Sequence, residues 1–324
     1  MDSLELIKRP IIDDLTRFRS EFESSLEHAN PLLDSALKVV SSRRGKMMRP
    51  MLVMLSAKLF GGVNEQAISS ACAFEYFHTA SLLHDDVVDE SDERRGKESI
   101  RKAFSNQVAV LVGDYILSLA LKNAANSGLI RLIDILSETA QNLADGELVQ
   151  LDNVHNTDFS EEVYYHIITN KTAALFASCA LTGAMCAGAS VENQERLRKF
   201  GETLGICFQI RDDIFDYNDD KSIGKPTGND MKEGKLTLPV LYALNSTQDA
   251  DMMTIAKKVR GGEVTASEIE RLVNFTKENG GIDYAEKMMY QFAEKAKSLL
   301  DIYPDSEVKS SLLAYVDYVV GRTL

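Results

Sequence analysis

Proline is scarce in this sequence: six in 324 residues, and none between Met51 and Lys225. Proline lacks a backbone N–H and clashes with the preceding helical turn, so its absence removes the commonest helix breaker. Over the same stretch apolar residues recur at three- and four-residue intervals, and no run keeps the apolar–polar alternation of a half-buried strand. Continuous α-helices are the regular structure that fits. Cysteine is sparse too. Cys72, Cys179, Cys186 and Cys207 show no close paired spacing of the metal-binding kind, and they are expected to be small, reduced core residues of an intracellular chain. There is no basic excess: the formal net charge is -13, which argues against a nucleic-acid partner. The N-terminus, Met1 to Lys8, lacks the basic start and continuous apolar core of a signal peptide. The one stretch resembling a membrane span, residues 172 to 190, carries no charge but is dominated by Ala, Gly, Ser and Thr. Its transfer into lipid would gain little, so a buried helix, no transmembrane segment and a cytoplasmic protein are expected.

What is present is apolar surface enough for one large core, with 44% hydrophobic and 26% charged residues. The expected fold is all-α, a single domain over residues 1–324 forming a helical bundle around a central apolar cavity. Expected helices cover 3–27, 32–41, 65–89, 105–123, 129–151, 160–188 and 192–216, with four more near 250–260, 266–278, 283–300 and 305–321 beyond Pro239.

The chain is organised around residues 78–96, where an apolar helical pattern runs into Asp85, Asp86 and Asp89 and then Arg94 and Arg95. On a helix Asp85 and Asp89 lie one above the other, with Asp86 beside them. Like charges so placed repel, and a cation held between them relieves the repulsion. All-oxygen ligands select Mg²⁺, with Mn²⁺ as the alternative, rather than zinc. Arginine's planar fork suits phosphate. Together these groups point to a polyphosphate substrate. A single acidic run of this kind is more often a solvated helix end. A second one, Asp212, Asp213 and Asp216 with the same spacing, again closes an apolar helix and is preceded by Phe208 and Gln209. Two such repeats are hard to explain as surface.

The two Asp-Asp-x-x-Asp motifs, the segment Gly45-Lys46-Met47-Met48-Arg49-Pro50, the triplet Arg94-Arg95-Gly96 and the segment Gly234-Lys235-Leu236-Thr237-Leu238-Pro239 resemble the trans-isoprenyl diphosphate synthases, or polyprenyl synthetases. The resemblance covers nearly the whole chain in the family's motif order. It implies the isoprenoid synthase fold, a homodimer, and up to three Mg²⁺ ions held by Asp85, Asp86, Asp89, Asp212, Asp213 and Asp216. By the same resemblance Gly45, Lys46, Arg49, His78 and Arg95 hold isopentenyl diphosphate. Lys171 meets the diphosphate of the allylic partner, with Thr172 near its reacting carbon. Apart from the resemblance, the long loop between Tyr217 and Leu238 carries Lys225 and Lys235, which would close over bound phosphates. Met47-Met48 is a local departure between two matching charged positions.

Some of this stands beside a plainer reading. A basic loop leading into a helix N-terminus favours anions through free amides and the helix dipole. Pro50 is expected at the first helical position. His78, seven residues before Asp85, would without the family be a satisfied core histidine. Gly113-Asp114 and Asp145-Gly146-Glu147 are polar intrusions into apolar helices with no role derivable from sequence.

The reaction so implied cleaves an allylic carbon–oxygen bond, leaving a delocalised carbocation and a diphosphate. Metal ions, Arg94, Lys171 and Lys235 would neutralise the leaving group, with Asp85, Asp89 and Asp212 as direct ligands. The double bond of isopentenyl diphosphate then attacks, and a proton is lost. Gln209 and the backbone near Lys171 offer oxygen dipoles to the cation.

Ala80 and Ser81 lie about 6 to 8 Å down the helix from Asp85, where a growing tail must pass. Both are small, whereas short-chain members of the family place aromatic rings there. The expected product is therefore a medium- or long-chain all-trans polyprenyl diphosphate for quinone side chains, as made by octaprenyl synthases, with Phe77 as the nearest stop. The product would leave through transient membrane contact. Shorter-chain farnesyl or geranylgeranyl synthesis is the alternative. A class I terpene cyclase lacks the basic set for a second diphosphate, and non-catalytic subunits lose their triads.

Overall fold

The computed structural model describes residues 3–42, 45–94, 96–153, 158–217 and 227–322, and among these the protein is all-α, as expected. The described β-structure is one antiparallel ribbon, Glu93–Arg94 with Lys97–Glu98. Strands of two residues leave no alternation for a sequence reading to detect. The chain divides into two compact units: residues 1–137, 178–198 and 304–314 form one, and residues 138–177, 199–303 and 315–324 the other.

The first unit is built on the helix Glu65–Val88. Asn64 starts it, its side chain accepting from the N–H of Ala67 at 2.9 Å while donating to the carbonyl of Cys186 at 2.8 Å. Such an N-cap satisfies a donor that has no partner within the helix. This helix is buried nearly all round, through Ile68, Ala71, Phe74 and Tyr76 among others. Tyr76 stacks on Phe22 at 4.5 Å and donates its hydroxyl to the Phe22 carbonyl at 2.8 Å. Its chief neighbours are Asn106–Asn126 and Met48–Lys58. The second of these is apolar all round, with residues 50 to 57 buried, the pattern of a fully enclosed helix.

Two expectations need correction here, and a third holds. The helix expected over 3–27 is Ser3–Lys8, a tighter turn at Arg9–Ile11 and then Ile12–Ser24, because Pro10 cannot donate within a continuous helix. Pro50 is the third helical residue, since the helix begins at Met48 after Met47 in the left-handed region (φ 56°). No bond is lost, because the first N–H groups of a helix have no acceptor within it. The uncharged residues 172–190 hold the helix Ala174–Cys186, largely buried as expected. Its small residues permit close approach: a Cβ on Gly183 would lie 2.1 Å from the Val53 carbonyl. Among the described residues, the helix long and apolar enough to cross a membrane is Asn106–Asn126, with mean hydropathy 1.5.

The second unit carries Glu161–Ile168 and then a π-turn, Thr169–Ala173, where one uninterrupted helix was expected. Leu238–Thr247, Ala250–Arg260, Ala266–Glu278 and Gly281–Ser298 follow. Asp249 and Thr265 cap two of them, the latter in a reciprocal capping box with Glu268. Tyr242 stacks on Tyr284 at 4.0 Å, joining the first helix of the group to the last. Gly281 lies against the Pro239 carbonyl, where a Cβ would come within 2.3 Å.

All four cysteines are free and buried. Burial pushes the Cys72 and Cys207 thiols up to about 12 and raises those of Cys179 and Cys186. Because the thiolate is the reactive species, the native protein at pH 8 should react with a disulfide reagent roughly 100-fold more slowly than the guanidinium-unfolded chain, which should then titrate four thiols. Fast native modification of any one would refute the burial assigned to it.

Candidate active site

In the first unit, Asp85 and Asp86 end the helix Glu65–Val88 and Asp89 forms its C-cap. Asp86 is 2% exposed. A buried carboxylate needs a cation or several donors, and Arg94 supplies both: its Nε and Nη2 reach Asp86 Oδ1 at 2.8 and 2.5 Å. The β-ribbon, turning at Gly96 (φ 72°), brings Arg94 back over the helix end. Beside this pair is a cavity of about 70 Å³ whose walls include Gly45, Met47, Glu75, His78, Asp86 and Arg94. The fold therefore gathers Gly45, His78, Arg94 and Asp86 in one place. Lys46 and Arg49 flank the start of Met48–Lys58, an eleven-residue helix whose N-terminal amides and dipole favour an anion. Arg95 lies outside the described residues.

Further back on the same helix, Phe77 and Ala80 are buried and Ser81 is half-buried, its hydroxyl donating to the His78 carbonyl at 3.0 Å.

In the second unit the other triad ends the helix Val191–Phe215. Its three carboxylates are engaged differently. Asp212 accepts from Arg322 Nη2 at 2.5 Å, and that guanidinium also lies 3.9 Å over the Phe208 ring. Asp213 is 3% exposed and accepts from the Tyr164 hydroxyl at 2.6 Å and from Gln209 Nε2 at 2.8 Å. Burial pushes its carboxyl up to about 7, the donors from Tyr164 and Gln209 working against that and the neighbouring charges of Asp212 and Asp216 adding to it. Asp216 takes the backbone N–H groups of Asn229 at 2.8 Å and Asp230 at 3.1 Å. Burial also raises Asp230 well above the usual carboxylate range, with Asp216 and Asp213 nearby.

The π-turn presents Asn170, Lys171 and Thr172 in succession, and π-turns of this kind often mark functional sites. Asn170 donates to Asp145 at 3.1 Å, Lys171 pairs with Glu147, and Thr172 donates to Gln209 Oε1 at 2.7 Å. Gly146 lets the turn approach closely: a Cβ there would stand 3.0 Å from the Lys171 nitrogen. Lys235 pairs with Glu233 at 2.7 Å, and Lys225 lies outside the described residues. Sequence reasoning missed Tyr164, Glu147, Asp230 and Arg322. Glu147 had been noted only as a polar intrusion, and Asp230, close after the second triad, was the one local signal available.

Oxygen is the only donor atom type the two triads offer, which fits a hard divalent cation. Among the described residues no three such side chains already converge on one point.

An all-helical chain carrying two aspartate-rich helix ends with arginine and lysine around them is defined by that pairing. The sequence profile of the polyprenyl synthetase family matches residues 30–275, and the chain belongs to this family of chain-elongating prenyltransferases. It is 33% identical over 323 residues to the octaprenyl diphosphate synthase of Escherichia coli, covering 99% of both chains. It is 34% identical to a nonaprenyl diphosphate synthase of Rhodobacter capsulatus, again over 99% of each. Among solved structures it resembles a geranylgeranyl pyrophosphate synthase from Bacteroides thetaiotaomicron, with TM-score 0.89 and 48% identity over 99% of this chain and 100% of that one. A polyprenyl synthase from Caulobacter crescentus, complexed with calcium and isoprenyl diphosphate, superimposes with TM-score 0.92 at 31% identity over 98% of each.

Replacing Arg94 by Ala removes a cation from the buried Asp86. Because Arg94 is itself 32% exposed, the expected loss is about 1 to 3 kcal/mol, read by denaturant unfolding. Asp86→Asn in the same background should recover part of it. An Arg94→Ala protein as stable as the parent would show that the pair does not hold the ribbon.

Proposed function

We propose that this chain joins an allylic diphosphate, such as farnesyl or geranylgeranyl diphosphate, to isopentenyl diphosphate in a Mg²⁺-dependent reaction, giving a medium- or long-chain all-trans polyprenyl diphosphate for quinone side chains. The observation that carries the reading is the gathering of Gly45, His78, Arg94 and Asp86 around one cavity in a family member that keeps both acidic triads. The calcium and isoprenyl diphosphate of the Caulobacter protein support a divalent cation here. When bound, the metal supplies Lewis-acid neutralisation of the departing diphosphate.

The chain's own residues do the rest. Asp85, Asp89 and Asp212 are the proposed direct ligands. Asp86, Asp213 and Asp216 join them only to the extent that they exchange the partners described above. Lys46, Arg49, His78 and Arg95 hold isopentenyl diphosphate, Arg94, Lys171 and Lys235 meet the departing diphosphate of the allylic one, and Lys225 closes over the bound phosphates. Lys171 reaches substrate by leaving Glu147, an exchange of one anion for another. Thr172 and Gln209 place oxygen near the developing cation. The apolar walls Leu82, Leu83 and Ile100 exclude water.

Small residues at positions 80 and 81 leave a tail room to grow. The 48% identity to a protein named as a geranylgeranyl synthase favours a second reading with a shorter product. A homodimer in the cytoplasm belongs to the same proposal. In its support, Leu111 and Leu121 on Asn106–Asn126 are 66% and 53% exposed.

Incubating the protein with Mg²⁺, isopentenyl diphosphate and farnesyl or geranylgeranyl diphosphate, then sizing the dephosphorylated prenols, tests the function. Asp85→Ala and Asp212→Ala should each lower turnover at least about 100-fold with helicity unchanged, and near-parental turnover would remove the metal role. Ser81→Phe should shorten the main product, and an unaltered product ladder would mean that the tail does not pass that face.

A further inference from the structure

The side chains of Asp145, His166 and Asn170 have no part in the reaction proposed above, yet the fold brings them to one point in the second unit. Asp145 comes from the helix Ile130–Asp152, His166 from Glu161–Ile168 and Asn170 from the π-turn. Asp145 Oδ2, His166 Nε2 and Asn170 Nδ2 form a triangle whose three sides are each 3.1 Å. Protons cannot satisfy all three sides. An uncharged imidazole nitrogen is either a donor or an acceptor. If His166 Nε2 carries hydrogen it donates to Asp145, and then two N–H donors, His166 and Asn170, face each other at hydrogen-bond distance. If it carries none, its lone pair faces the carboxylate oxygen. Either way one side sets like against like. A cation over the triangle removes the conflict, because all three groups can then present lone pairs. The two ends of a carboxamide are nearly the same in shape, and turning Asn170 over puts its oxygen where its nitrogen stands.

We propose that these three side chains form a site for a divalent first-row transition ion of the imidazole-binding kind, using none of the triad residues. The spacing fits: metal–ligand bonds of about 2.1 Å at octahedral right angles put neighbouring ligand atoms about 3.0 Å apart, against about 3.4 Å in a tetrahedron. The ligand set fits as well. Carboxylate and carbonyl oxygen alone suit Mg²⁺, and an imidazole moves the preference to ions such as Ni²⁺ and Fe²⁺. The His166 and Asp145 side chains are 51% and 57% exposed, so water reaches the three remaining positions. The consequence is mechanical. Asn170 immediately precedes Lys171 in the π-turn, and Asp145 stands two residues before Glu147, the partner of Lys171. An ion bound there ties the π-turn to the helix beside it and so holds Lys171 and Thr172 in place. The site stands on this geometry and not on the prenyl-transfer reading.

The test is calorimetric titration of the untagged protein with Ni²⁺ in excess Mg²⁺, which competes for the all-oxygen triads. The parent should bind one equivalent that His166→Ala and Asp145→Ala lack, or bind at least about tenfold more weakly. Asn170→Asp, which adds a charge to the same three atoms, should bind that equivalent about tenfold more tightly than the parent. A cluster held by hydrogen bonds alone gives no such gain. Hydrogen exchange supplies a second readout: Ni²⁺ should slow the amides of Thr169–Ala173 in the parent and leave their rates unchanged in His166→Ala. Circular dichroism checks that each variant folds, and if His166→Ala does not, Asp145→Ala carries both comparisons. Equal stoichiometry and affinity in the parent and in the folded alanine variants overturn the site, as does an Asn170→Asp protein that binds no more tightly than the parent. Ni²⁺ bound at these residues without slower exchange in the turn overturns the clamp.

Discussion

A carboxylate withdrawn from water must be met by a cation or by donors, and that demand shapes the whole neighbourhood of both aspartate motifs. Asp86 is met by Arg94, and in meeting it folds the ribbon of residues 93 to 98 onto a helix end. Asp213 is met by Tyr164 and Gln209, which ties Glu161–Ile168 to Val191–Phe215. Asp216 is met by backbone amides and so fixes the entry into Asn229–Lys232. Asp212 is met by Arg322, from the far end of the chain. Each acidic group is a structural node. Under the proposed metal role, a cation reaching the triads would displace at least some of these partners.

The helices were legible because their signal is local. Apolar spacing in a proline-poor chain predicts 65–89, 192–216 and 266–278, and the structure gives Glu65–Val88, Val191–Phe215 and Ala266–Glu278. The triads were legible for the same reason, two short motifs on helix ends. Their partners were not. Tyr164 lies 49 residues from Asp213, and Arg322 lies 110 from Asp212, distances over which no periodicity carries information. Pro10 was visible and should have broken the first helix. The π-turn was invisible in principle, because Thr169–Ala173 contains neither proline nor glycine and its extra residue shows only in the backbone.

The uncharged stretch after Lys171 is one place where composition reads correctly: its small residues serve contact. Gly201 and Gly205 stand where a Cβ would come within 2.4 Å of the Phe176 carbonyl and 2.6 Å of Ala173, so two helices of the second unit approach almost backbone to backbone. Close packing of that kind leaves little slack around Lys171 and Thr172.

The π-turn sets the phase of everything downstream. An α-helix advances about 100° per residue, so the one additional residue lodged in Thr169–Ala173 decides which side of Ala174–Cys186 meets its neighbours. Chain length here is consequently a fixed quantity: homologous recombination or codon loss that shortens this turn by a single position would rotate the glycine-lined flank out of its groove, however conservative the residues that remain.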